Sequence, residues 1–171
     1  VKCLCFTHPD DDSALWAEQS AALLELFTVT RALGLELLLE FIPPANMERA
    51  ATTIAQSMAM TYALGIYPDW WKLPAPKTDD WDAEWLAWER VIADNDPHCR
   101  GVLLLGLAAP QDEVKASLVR ASAQSLCKGF AVGRTIFGQA AKEWFAGTLT
   151  DAEAKALIAH SFDDLIAAWR S

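Results

Sequence analysis

Lys72 sits in "YPDWWKLP" (67–74), beside two tryptophans and a leucine, with a proline closing the run. An ammonium withdrawn from water needs a carboxylate, a route back to solvent, or the loss of its proton. In the last case the amine becomes a nucleophile toward a carbonyl carbon. Glu40 stands inside a similarly apolar run, "LLLEFIPP", also soon followed by proline. The two residues lie at matching depth near the ends of consecutive strand-like segments. On neighbouring strands, about 4.8 Å apart, their side chains can meet. Two readings are open: a buried ion pair that serves the fold, or a Schiff-base lysine with an acid–base partner. The other lysines compete poorly. Lys77, Lys115, Lys142 and Lys155 fall in loop or helix patterns, and Lys2 and Lys128 begin strands, the end that serves stability in barrel folds.

A second kind of chemistry is written in "AVGRTIFG". Gly133 permits close backbone approach, Arg134 brings a guanidinium, and the amides that open the next helix point outward; together they suit a phosphate. The alternative is an ordinary turn with a solvated arginine. Gly106 closes the preceding apolar run, "RGVLLLGL", and is a further position for an approaching ligand. His8 ends the first run and is placed to touch a substrate. No second His or Cys is spaced to share a metal with it, so no metal site is expected. The Asp10–Asp12 run that follows reads as a helix cap.

Elements that position these residues alternate along the chain. Apolar runs at 2–6, 36–42, 67–73, 100–107 and 128–133 read as strands covered on both faces. Helical spacing appears at 11–33 (Trp16, Leu23, Phe27), stopped by Gly34. It recurs at 47–64 (Ile54, Met58, Tyr62), with Asn46 as candidate cap and Gly65 as stop, and at 79–94, where three tryptophans share a face. Pro110 opens a fourth helix, with Asp112 and Glu113 in its first turn. Thr150 and Glu153 form the capping box of a last one, which is expected to bury Ile158, Phe162, Leu165 and Trp169. Five β-α units of about 30 residues match the repeat of a (β/α)8 barrel but do not complete one. The fold class is therefore α/β. Residues 1–171 are either an open doubly wound sheet or the last five units of a TIM barrel.

Composition narrows the partners. The net charge of −9 argues against nucleic acid, and no apolar run reaches the length of a membrane span. Cys3, Cys5, Cys99 and Cys127 lie in or beside strands without a CxxC pair. They read as core thiols of a reducing, cytoplasmic compartment. A start at Val1 suggests that an upstream segment precedes the chain.

The ordered set "KCLCFTHPDDD", "LLLEFIPP", "PDWWKLP", "CRGVLLLGL" and "KGFAVGRTIFG" resembles the C-terminal domain of the bacterial bifunctional 5-dehydro-2-deoxygluconokinases of myo-inositol catabolism. That domain is itself similar to the class I tagatose-1,6-bisphosphate aldolases, which are TIM barrels. The resemblance implies a lyase of carbohydrate metabolism that needs no metal or organic cofactor and acts on a phosphorylated keto sugar acid, 6-phospho-5-dehydro-2-deoxy-D-gluconate. It implies Lys72 as Schiff-base residue, Glu40 as its catalytic partner, and Gly133 with Arg134 as phosphate-binding pair. The seventh-strand motif of those aldolases has a hydroxyl before its glycine, whereas leucines surround Gly106 here, so a single strong anion anchor remains. Barrel strands one to three would lie upstream, beside a fused sugar kinase domain, and the chain alone would be inactive. The rival implication is a non-catalytic sugar-phosphate-binding regulatory domain attached to the kinase. Exposed sheet edges predict self-association, as a homo-oligomer.

Overall fold

The computed structural model describes residues 1–171, apart from the side chain at position 78. It is an α/β fold in which five parallel strands alternate with helices, the repeat from which TIM barrels are built. The chain divides into two compact units, Val1–Gly101 and Val102–Ser171.

Unit 1 holds β1 (Lys2–Phe6), α1 (Ser13–Ala32), β2 (Leu38–Ile42), α2 (Thr53–Ala63), β3 (Trp70–Pro74) and α3 (Trp81–Asn95). A 3-10 turn at Thr78–Asp80 leads into α3. The three strands pair in sequence order, β1 with β2 and β2 with β3. Their register sets Leu4, Glu40 and Lys72 in one row across the sheet. Side chains alternate across a strand. Leu39, Phe41, Trp71 and Leu73 therefore fill the opposite face, and all four are buried. On that side the Phe41 ring meets Trp71 edge-on at 5.0 Å, and Trp71 Nε1 donates to the Tyr62 hydroxyl at 2.8 Å. Trp81, Trp85 and Trp88 are buried along one side of α3, as their spacing predicts.

Asp12 caps α1 by accepting from the Ala14 and Leu15 amides at 2.9 and 3.3 Å. Gly34 and Gly65 end α1 and α2 at positive φ, a conformation a side chain would strain. Asn46 does not begin a helix. Residues 43–52 stay in turns, because Arg49 is drawn to Glu84 and to the Ala75 carbonyl, and α2 starts only at Thr53.

Unit 2 takes all but the first residue of β4 (Gly101–Leu105), then α4 (Gln111–Ser122), β5 (Cys127–Phe130), α5 (Arg134–Phe145) and α6 (Asp151–Arg170). Val102 pairs with Cys127, and a bulge shifts the register so that Leu103 faces Gly129. Two helices follow β5 where the simple repeat predicts one; Gly147, at positive φ, separates them. The Thr150–Glu153 capping box opens α6 as expected. The apolar stripe expected on α6 is only partly interior. Leu165 is buried, whereas Phe162 is half exposed, its ring edge-on to Phe130 at 6.2 Å. The line that α6 buries runs through Ala154, Ser161 and Leu165, which leaves Phe162 to one side. Among the described residues no helix is long and apolar enough to cross a membrane.

Candidate functional site

Lys72 and Glu40 meet. Lys72 Nζ lies 3.2 Å from Glu40 Oε1, and their side chains are 15% and 8% exposed. The parallel register makes this contact, since β2 and β3 place the two residues directly across from each other. Both belong to apolar runs, so the pair is held in a largely dry setting, where charges interact more strongly than in water.

A third charge joins them that the sequence did not point to. Lys2 Nζ contacts Glu40 Oε2 from the start of β1, with its own side chain 50% exposed. Lys2 shares a face with Leu4, and Leu4 is the residue opposite Glu40, so a long side chain leaning along the strand reaches the carboxylate. Period-two alternation in "KCL" is the signal that could have found it. The cluster is thus one carboxylate between two ammonium groups. Neither ammonium meets Glu40 at a hydrogen-bonding angle, and Oε2 accepts no hydrogen bond. Leu4 and Phe6, on the same face, are exposed, so the row opens onto an apolar surface.

His8 follows β1 and is buried. The Asp10 amide lies 3.1 Å from Nδ1, and Nε2 lies 2.8 Å from the Glu48 carbonyl. An amide can only donate and a carbonyl only accept, which assigns the proton to Nε2. Both ring nitrogens are therefore engaged by backbone, and His8 ties the loop after β1 to the loop after β2. Contact with a substrate would require breaking one of these bonds.

Arg49 extends the same lacing. Its guanidinium donates to Glu84 through Nε at 3.1 Å and through Nη2, and to the Ala75 carbonyl at 3.1 Å. The Lys77 amide donates to Glu84 Oε2 at 3.2 Å, and Lys77 Nζ to the Arg49 carbonyl at 2.6 Å. Burial pushes the Glu84 carboxyl above its usual value, and the Arg49 guanidinium opposes that rise. The loops that follow β1, β2 and β3 are thereby fastened to one another.

Gly106, Gly133 and Arg134 lie in unit 2. Residues Gly106–Ala109 form a tight turn, closed by the Ala109 amide donating to Gly106 O at 2.8 Å. Both central residues are non-glycine at positive φ, Leu107 at 47° and Ala108 at 59°. Two such residues in succession store strain, which is common beside functional sites. Gly106 is required by packing, since a Cβ there would come within 2.8 Å of Val132 Cγ1. The Thr135 hydroxyl donates to Ala109 O at 3.0 Å, which fastens this turn to the start of α5. Gly133 is the N-cap of α5 and offers no side-chain cap, and the first turn carries no acid. Arg134 is exposed and forms no ion pair or hydrogen bond among the described residues. An uncapped helix start beside a free guanidinium is chemistry suited to an anion.

The family model described as an uncharacterised protein conserved in bacteria, DUF2090, matches residues 1–171. This chain belongs to the DUF2090 family. A search of the curated proteins finds no match to it. What this DUF2090 member offers is thus two constellations: an acid between two amines in unit 1, and a strained turn beside a cationic helix start in unit 2.

The thiols of the DUF2090 chain are free. Burial, and then the adjacent Cys3, push Cys5 up to about 12; burial above all pushes Cys99 up to about 11. Both are poor nucleophiles near neutrality, in keeping with core packing.

Proposed function

We propose that the chain is the aldolase-like part of a class I aldehyde lyase acting on a phosphorylated keto sugar acid, 6-phospho-5-dehydro-2-deoxy-D-gluconate. The observation that carries this reading is the Lys72–Glu40 contact at 3.2 Å within an apolar row. In the reaction the Glu40 carboxylate takes a proton from the Lys72 ammonium, and the freed Nζ adds to the C5 ketone to give a carbinolamine. Glu40 passes a proton to the departing hydroxyl, water leaves, and an iminium remains. The C3 hydroxyl gives its proton to the Glu40 carboxylate, the C3–C4 bond breaks, and its electron pair moves into the iminium to give an enamine. Malonate semialdehyde departs from C1–C3. Protonation at C4 and hydrolysis release dihydroxyacetone phosphate and restore the amine. Lys2 holds Glu40 from the other side and keeps its carboxylate facing the reacting carbon. Within unit 2, Arg134, Gly133 and the α5 amides are the phosphate-binding groups that the resemblance implies.

Borohydride reduction of the full-length protein with dihydroxyacetone phosphate tests this directly. The expected result is a stable adduct on the Lys72 peptide and none in Lys72→Ala. Equal labelling of Lys72→Ala would remove Lys72 from the mechanism.

A second reading, a sugar-phosphate-binding regulatory domain attached to a kinase, is favoured by one observation. Glu40 already has two cationic partners, so the cluster is complete as a structural ion triad. Calorimetry separates the readings. Phosphate-ester binding that is lost in Arg134→Ala, kept in Lys72→Ala, and accompanied by no reductive trapping belongs to the regulatory domain.

A further inference from the structure

At the amino ends of β2 and β3, where the strands begin, unit 1 contains a cavity of about 550 Å³. Its walls come from α1 (Phe27, Arg31), from the turn before β3 (Tyr67, Asp69) and from the segment after α3 (Asp96, His98). The volume is that of a small-molecule site.

Two carboxylates line it, and they differ. Asp69 is neutralised. Arg31 Nη1 lies 2.8 Å from its Oδ2, and the Leu37 amide donates to the same oxygen at 2.8 Å. That guanidinium is also spent on the Tyr67 and Leu35 carbonyls, at 2.6 and 3.4 Å, and it lies 4.8 Å over the Phe27 ring. Asp96 has no such partner. It is 5% exposed, and its one hydrogen bond is from the His98 amide to Oδ1 at 3.0 Å. Among the described residues it forms no ion pair, and its second oxygen, unlike Glu40 Oε2, is not a sealed atom left without a partner. A carboxylate in a cavity wall, with no counter-charge and one oxygen not sealed away, is placed to take a cation from solution.

The surroundings define which cation. Asp96 is the C-cap of α3, and its amide uses only the Ile92 carbonyl, at 2.7 Å. The end of that helix adds negative potential to the carboxylate. Tyr67 presents a half-exposed ring as a flat wall, whereas Arg31 already covers Phe27. A planar amidinium or guanidinium can donate two parallel N–H groups to a carboxylate while stacking on an aromatic face; a spherical ammonium cannot match both.

We infer that this cavity is a binding site for a planar organic cation, with Asp96 as its counter-ion and Tyr67 as its stacking platform. The site lies apart from the Lys72 row and does not depend on the aldolase reading.

Benzamidine and its neutral isostere benzamide test it on the whole 171-residue chain, followed by amide NMR shifts and calorimetry. The expected result is saturable benzamidine binding that shifts the amides of Tyr67 and of residues 96–98, with benzamide at least tenfold weaker. Asp96→Asn keeps an oxygen for the His98 amide and should lose at least tenfold in benzamidine affinity. If that variant fails to fold, Tyr67→Ala replaces it, with a severalfold loss expected. Absence of saturable binding, equal binding of benzamide, or undiminished affinity in the variant that folds would overturn the assignment.

Discussion

Glu84 and Glu40 are both buried acids of unit 1, and both face basic side chains, but only Glu84 is hydrogen-bonded on each oxygen. Arg49 reaches it with two nitrogens, the Lys77 amide takes its other oxygen, and the guanidinium also fastens the Ala75 carbonyl. Glu40 has two ammonium groups nearby and no aligned donor on Oε2. The difference separates two uses of a buried charge. A guanidinium fork with every lone pair engaged fixes loops in place. Flexible lysines held by charge alone leave the acid free to exchange protons with an incoming group.

Arg49→Met is the hardest test of this contrast. It strands Glu84 without its cation and should cost about 3–5 kcal/mol in urea unfolding, whereas Glu40→Gln should cost clearly less. Equal losses would mean that both pairs are structural. Glu40→Gln acts instead on chemistry, with reductive trapping at Lys72 slowed on the order of 100-fold. An unchanged trapping rate would return Glu40 to the same class as Glu84.

The smallest expected effect concerns a third acid, Asp69. Burial raises its carboxyl, but the Leu37 amide and the Arg31 guanidinium outweigh that and hold it below the ordinary value of 3.8. A lowered folded value means that its contribution is fully present above the unfolded value and is lost as pH falls through the folded one. Acid unfolding below about pH 4 should therefore be less steep in Asp69→Asn than in the parent chain. An identical slope would show that Arg31 contributes nothing through Asp69.

The contact between Glu40 and Lys72 was legible because continuous apolar runs imply parallel strands, and parallel strands imply that equal depth becomes adjacency. Lys2 was not legible by the same logic. A lysine at a strand's first residue reads as remote, and only the pairing of Leu4 with Glu40 brings it into reach. Asn46 looked like a cap because capping propensity is local, yet the Arg49 attachments hold residues 43–52 out of a helix. Leu107 and Ala108 gave no turn signal, since neither is a residue that favours positive φ. The capping box at Thr150, the Asp12 cap and the glycine stops were read directly, because each depends on neighbours within a few residues.

The aromatic cluster has a practical result for spectroscopy. Trp71, Trp81, Trp85 and Trp88 are all buried and all belong to unit 1, while unit 2 carries only Trp144 and Trp169. Ultraviolet emission is therefore dominated by the first unit, while circular dichroism sees the helices of both. Recording the two signals on one melting curve reveals whether the halves of the chain come apart together or one at a time, with no label attached.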